Sequence, residues 1–268
     1  MIIFGGLKLQ KCVSSLLMLS IAICGYAHTH GETVKYTVDN IVFKGYLAYD
    51  DQIKTKRPGV LVVHEWWGHN EYVRNRARML AELGYTALAV DMYGDGKLAD
   101  HPDDAGKFAR SVMENMEVAK ARFMAGMDLL RKHPTVDTKQ IAAIGYCFGG
   151  GIVLHMARLG IDELDGVVSF HGSLSTQTPA KRGTVKAKIL VCHGADDPFI
   201  TSEQVDTFKK EMQNAEVDFK FIAYPEASHG FTNPAADTRG GPLRYNAAAD
   251  KKSWTDMQDF FKALFAVQ

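Results

Sequence analysis

Six short apolar runs rich in β-branched residues, at 59–64, 85–90, 141–144, 166–170, 188–191 and 217–222, alternate with segments of helical period. That alternation leaves few folds open. The helical segments span 73–83, 113–130, 150–158 and 202–212, and 242–265 closes the chain. Strands separated by helices build a mostly parallel sheet covered on both faces, with ligand sites at the carboxyl ends of the strands. Ahead of them, 34–39 and 41–49 alternate around Asn40, which predicts an antiparallel hairpin at one sheet edge. With 268 residues and 46% hydrophobic content the chain can bury a full core. No repeat or linker divides it, so 28–268 is read as one α/β domain.

Residues 1–27 differ from the rest. Lys8 and Lys11 precede an apolar run, 13–24, and acidic residues are absent. The run is shorter than the roughly 20 residues of a spanning helix. Gly25 and Ala27 supply small residues for a signal peptidase, so the segment reads as a secretory signal cleaved after Ala27. A lipoprotein site at Cys24 is the weaker reading, because Ile23 is bulky. The mature protein is then secreted or periplasmic, without a membrane segment, and has 29 basic against 31 acidic side chains. No basic surface for phosphate backbones is expected, which excludes nucleic acid as a partner. A monomer acting on a small molecule is expected.

Of four cysteines, Cys12 and Cys24 fall in the signal, leaving Cys147 and Cys192. Cys192 lies in an apolar strand, where a free cysteine packs as a small hydrophobe. Cys147 is different. Gly145-Tyr146-Cys147-Phe148-Gly149 is a G-x-C-x-G turn between a strand and a helix, and small residues on both sides allow a strained backbone that lifts the thiol over the sheet edge. The helix N-terminus below favours a thiolate.

Such a thiol needs a base, and the base needs an acceptor that fixes its tautomer. His193-Gly194-Ala195-Asp196-Asp197-Pro198-Phe199 follows one strand, and Pro225-Glu226-Ala227-Ser228-His229-Gly230-Phe231 follows the next. Both therefore reach the carboxyl edge, in the order nucleophile, acid, histidine. These three motifs resemble the dienelactone hydrolase (carboxymethylenebutenolidase-like) family of α/β-hydrolases, as do His64-Glu65-Trp66-Trp67-Gly68 and Asp91-Met92-Tyr93-Gly94. The resemblance covers nearly all of the mature chain. It implies an α/β-hydrolase fold and a hydrolase of carboxylic esters or lactones, with no cofactor. Cys147 would be the nucleophile, His229 the base and Asp197 the orienting acid, with Asp196 the competitor. The backbone N–H groups of Phe148 and Trp66 would hold the oxyanion, and Glu65 would contact the resting thiol and take part in its activation.

In dienelactone hydrolases of the chlorocatechol pathway two arginines clamp the substrate carboxylate. Here Asp95 and Asn233 stand in their places, with Lys97, Arg239 and Arg244 as nearby substitutes. The pocket residues expected are Trp66, Trp67, Tyr93, Phe148, Phe199 and Phe231, with His171 beside them at another strand end; their aromatic character suits an uncharged ester or lactone. The other histidines show no metal-ligand spacing, and no metal is expected at the site. A cleaved terminus His28-Thr29-His30 would leave a copper or nickel site open. Two other readings remain: a non-catalytic binding member of the fold, and a redox-sensitive thiol at Cys147.

Overall fold

The computed structural model describes residues 1–2 and 28–266, so the expected signal lies outside the described residues. Strands β1 (Thr29–Val38) and β2 (Ile41–Asp50) form the edge hairpin. Asp39 and Asn40 turn it with left-handed φ of 48° and 63°, a conformation that short polar side chains tolerate. The remaining strands are β3 (Arg57–Val63), β4 (Thr86–Val90), β5 (Val136–Tyr146), β6 (Gly166–Phe170), β7 (Lys188–Gly194) and β8 (Phe219–Tyr224). All eight form one sheet in the order β1-β2-β4-β3-β5-β6-β7-β8. The hairpin joins β4 antiparallel, and every later pairing is parallel.

The helices are α1 (Glu71–Glu82), α2 (Pro102–Met113), α3 (Met116–Arg131), α4 (Phe148–Arg158), α5 (Ser202–Asn214) and α6 (Ala247–Phe265). Strands β2 to β8 split their side chains between two cores. Val60 and Val62 of β3 pack with Ala77 and Leu80 of α1 and with Met257 and Phe261 of α6. Leu61 and Val63 face the other way, onto Phe123 and Met127 of α3, Ile152 of α4 and Phe208 of α5. Burial on both faces explains why these strands read as continuous apolar runs.

Two local expectations change. The helix expected over 113–130 is divided at Glu114 and Asn115, and the Asn115 side chain caps α3 by accepting the Val118 N–H at 3.2 Å. Before the break lies α2, a helix outside the segments expected from the sequence. It opens with Pro102 in its first turn and Asp103 and Asp104 beside it, both favourable at a helix N-terminus.

Candidate active site

Cys147 stands at the carboxyl end of β5, where the chain reverses into α4. Its backbone has φ 53° and ψ −114°, and its N–H donates to the Phe170 carbonyl at 3.0 Å. A Cβ on Gly145 would lie 2.1 Å from the Gly149 carbonyl oxygen, and one on Gly149 would lie 2.3 Å from that of Val63. Both positions therefore admit only hydrogen, and the Gly149 N–H uses the closeness to donate to the His64 carbonyl at 3.1 Å. As the first residue of α4, Phe148 has no intrahelical acceptor for its N–H.

His229 follows β8 and Asp197 follows β7. His229 Nδ1 lies 2.8 Å from Asp197 Oδ2, and Nε2 lies 3.1 Å from Cys147 Sγ. The carboxylate can only accept, so Nδ1 carries the proton and Nε2 faces sulfur. Asp197 is buried, and its second oxygen accepts the Phe199 N–H at 2.9 Å. Asp196 is exposed, so geometry separates the two acids. Burial disfavours the charged imidazole, but the Cys147 sulfur and the Asp197 hydrogen bond outweigh it and raise His229 to about 10. The arrangement can deprotonate a thiol and stabilise the resulting imidazolium.

Glu65 lines the same cavity, yet its hydrogen bond goes elsewhere. Asn233 Nδ2 donates to Glu65 Oε2 at 2.6 Å, while the Asn233 carbonyl oxygen accepts the Ala235 N–H at 2.9 Å. The amide is thus oriented from both ends. Cys147 makes its hydrogen bond to His229, and Glu65 makes its own to Asn233, although both residues line the one cavity. Burial pushes the Glu65 carboxyl up, an effect partly opposed by the Asn233 bond and by His229 and Arg239. Behind it, His64 Nε2 accepts the Met92 N–H at 3.1 Å, so Nδ1 donates to the Glu65 carbonyl. This buried ring fixes the loop that carries Glu65 and Trp66, a role without a sequence signal. Asp91 holds the adjacent turn by accepting N–H groups from Lys44, Tyr93, Gly94 and Gly96.

A cavity of about 520 Å³ opens over the sulfur. Trp66, Trp67, Phe148 and Phe199 line it as expected, and Glu65 joins them, together with Pro102, Ala109 and Met113 from α2 and Ile200 and Leu243. Tyr93, His171 and Phe231 do not; the structure corrects these three. Tyr93 is packed between His64 and Phe148, and its hydroxyl donates to the Trp66 carbonyl at 3.0 Å. Phe231 is fully buried against Tyr224 and His171. His171 supports His229 from behind, ring edge to face at 5.2 Å, and its Nε2 meets Thr232 Oγ1 at 2.7 Å. Thr232 in turn meets the Tyr72 hydroxyl at 2.7 Å. Being next to a strand end in sequence put these residues near the site without turning them into the cavity.

Neither clamp position offers a cation. Asp95 pairs with Lys44 at 2.7 Å and does not line the cavity, and Asn233 is occupied by Glu65. Among the three substitutes only Arg239 lines the cavity; it belongs to a short 3-10 turn (Ala236–Arg239) and its guanidinium sits 4.4 Å above the Trp67 ring. Arg244 donates to the Gly241 and Leu243 carbonyls. At the amino end of β1, His28 Nδ1 contacts Asp51 and His30 packs on Tyr49. Among the described residues, no three His, Cys, Asp or Glu side chains converge as a metal set.

Residues 43–265 match the model of the dienelactone hydrolase family. Protein usf of Aquifex pyrophilus is 31% identical over 236 residues, covering 87% of this chain and 98% of its own. A dienelactone hydrolase-like promiscuous phosphotriesterase from metagenomic libraries superposes with a TM-score of 0.83 at 34% identity, over 88% of this chain and 99% of that one. A structure named m3DLH does so with a TM-score of 0.84 at 38% identity, over 89% and 99%.

Proposed function

Since the chain belongs to the dienelactone hydrolase family, we propose that it hydrolyses small uncharged carboxylic esters or lactones through a thioester on Cys147. One observation carries the reading: Asp197, His229 and Cys147 form an unbroken hydrogen-bonded series whose sulfur faces a largely apolar cavity. His229 takes the thiol proton, and Sγ attacks the carbonyl carbon. The oxyanion is held by the N–H groups of Phe148 and Trp66, the first left free by the start of α4. Collapse breaks the bond to the alcohol, which leaves with the proton from His229. Water then gives its proton to His229, attacks the thioester, and releases the acid as sulfur recovers a proton.

The uncharged substrate follows from the lining. Trp66, Trp67, Phe148, Phe199 and Met113 offer apolar surface, and the clamp positions hold Asp95 and Asn233. A carboxylate-bearing lactone would forgo about 1.5–3 kcal/mol for each missing charged hydrogen bond. A neutral phosphotriester belongs in the same panel, given the named activity of the 34%-identical relative. From the character of residues 1–27 we also propose export to the periplasm or outside the cell, and separately that the mature protein acts as a monomer; sequencing the amino terminus of the exported protein tests the first, and sedimentation the second.

The test is hydrolysis of neutral esters, neutral lactones and carboxylate-bearing lactones by wild type and Cys147→Ala. Neutral substrates should lead, and the variant should lose at least about 10³-fold in kcat. Wild-type protein that is fully reduced and inert on every neutral compound would sink the reading. Alkylation rate at one neutral pH separates a paired thiol from an unpaired one: a thiol activated by His229 reacts several-fold faster in wild type than in His229→Ala, and equal rates would count against the pairing.

A further inference from the structure

A second hollow, of about 530 Å³, adjoins the catalytic cavity. Met113 and Ser173 belong to both walls, so these two side chains stand between the two spaces, and the exposed Met113 marks the way from one to the other. The floor of the hollow is the face of α4 beyond Gly151, carrying His155 and Arg158 one turn apart. Its sides are Glu114, at the junction of α2 and α3, and the loop from Ser173 to Thr178.

Because α4 starts beside Cys147, the helix sets the distance. His155 lies eight residues on, about 12 Å along the axis at 1.5 Å per residue. A ligand with its ester at the sulfur and its far end in the hollow is therefore elongated, and its two ends meet different chemistry. The catalytic cavity is aromatic and aliphatic, whereas the hollow presents the hydroxyls of Ser175, Thr176 and Thr178 and the amide of Gln177.

Charge decides the class of ligand. Arg158 donates through Nε and Nη2 to the two oxygens of Glu211 at 2.8 and 2.9 Å, and through Nη2 to the Leu174 carbonyl at 2.9 Å. Its charge is balanced where it stands. His155 is held below its ordinary value by burial and then by Arg158, so it is an uncharged imidazole at neutral pH. The remaining formal charge on the wall is the Glu114 carboxylate, which repels an anion and, being exposed, holds a cation only weakly. Ser175 Oγ accepts from Gln204 Nε2 at 3.0 Å and Thr176 Oγ1 accepts the Thr178 N–H at 3.0 Å, so each of these hydroxyls is held in place and the Gln177 amide projects beside them, above the apolar side chains of Met113 and Met116. Uncharged donors and acceptors held over an apolar surface are complementary to a group with several hydroxyls of its own.

Resting on the ester-hydrolase reading above, we propose that this hollow is a subsite for a neutral polyhydroxylated end group, a sugar or a polyol, on a substrate whose ester lies at Cys147. The probes are phenyl esters of one medium-chain acid, ended in glucosyl, methyl, carboxylate or ammonium. The glucosyl-ended ester should exceed the methyl-ended one about tenfold in kcat/KM, mainly through KM, as one or two net hydrogen bonds would give. Gln177→Leu combined with Thr178→Val, and separately Ser175→Ala, should bring that ratio toward one with Tm held. A wild-type ratio near one, a preference for the methyl, carboxylate or ammonium end, or variants that slow all four esters equally would overturn the subsite. Phenyl acetate, too short to reach the hollow, reports the chemistry alone: if it is hydrolysed while the long esters are not distinguished, the subsite falls and the hydrolase reading stands. If phenyl acetate and all four long esters are inert the hydrolase reading falls, and calorimetry on amide analogues of the four compounds decides the subsite without turnover. Tighter binding of the glucosyl-ended amide upholds it, and equal binding of the glucosyl- and methyl-ended amides rejects it.

Discussion

The floor and the roof of the catalytic cavity are built by different means. The floor is held by backbone contacts and buried partners: Gly145 and Gly149 admit no side chain, Asp197 is buried with both oxygens engaged, and His64 braces the loop of Glu65 and Trp66. The roof consists of side chains from α2, the 239–243 segment and Phe199, with Phe199 53% and Met113 40% exposed. A floor of this kind tolerates little change, because each part is fixed by another. The roof can change its residues without disturbing the reacting atoms. The chemistry and its substrate range are thus set by separate parts of the chain.

Three measurements would break or sharpen this contrast. The largest effect is expected on the floor, with Asp197→Asn. The amide can no longer fix the Nδ1 proton as a carboxylate does, so kcat should fall by about 10³- to 10⁴-fold with Tm little changed. A loss below tenfold would remove Asp197 from the series.

An intermediate effect is expected in the pH dependence of stability. His229 has its ordinary value at 6.5 and is raised to about 10 in the folded protein, so the folded state binds the extra proton between them. The stability this contributes is complete below about 6.5 and is lost as pH rises through about 10. Wild type should therefore lose Tm relative to His229→Gln across that window; parallel Tm curves would contradict the raised value.

The smallest effect is expected on the roof. Phe199→Ala removes an exposed ring that meets His229 edge to face at 5.1 Å, but leaves its own backbone N–H on Asp197. KM for aromatic esters should rise about three- to tenfold, from the lost apolar contact, with kcat within about twofold. A collapse of kcat would make Phe199 part of the floor.

Much of the floor was legible in the sequence. A G-x-C-x-G turn after an apolar run, and Asp197 and His229 after two further runs, follow from rules that act over a few residues. The roof was less so. In α2 the apolar positions Ala105, Phe108, Ala109 and Val112 do keep the i, i+3, i+4, i+7 spacing of a helix face behind Pro102, but the stripe is short and is interleaved with Asp103, Asp104, Gly106, Lys107 and Arg110, so it is easily passed over beside the longer apolar runs. Tyr93, His171 and Phe231 show the opposite error, since aromatic rings beside strand ends look like pocket walls until their direction is known. The Asn233 to Glu65 bond joins residues 168 positions apart, and no local pattern announces such a pairing.

The turn at Cys147 has one more consequence. Its positive φ is borne by the cysteine itself, while the two glycines that make room for it have no freedom to become anything else. Evolutionary drift at this place is therefore confined to the atom at the tip: sulfur can be exchanged for the oxygen of serine on an unchanged backbone, whereas moving the reactive group by one residue would require a different turn. The protein has a fixed socket, and a lineage built on it can change its reagent far more easily than its address.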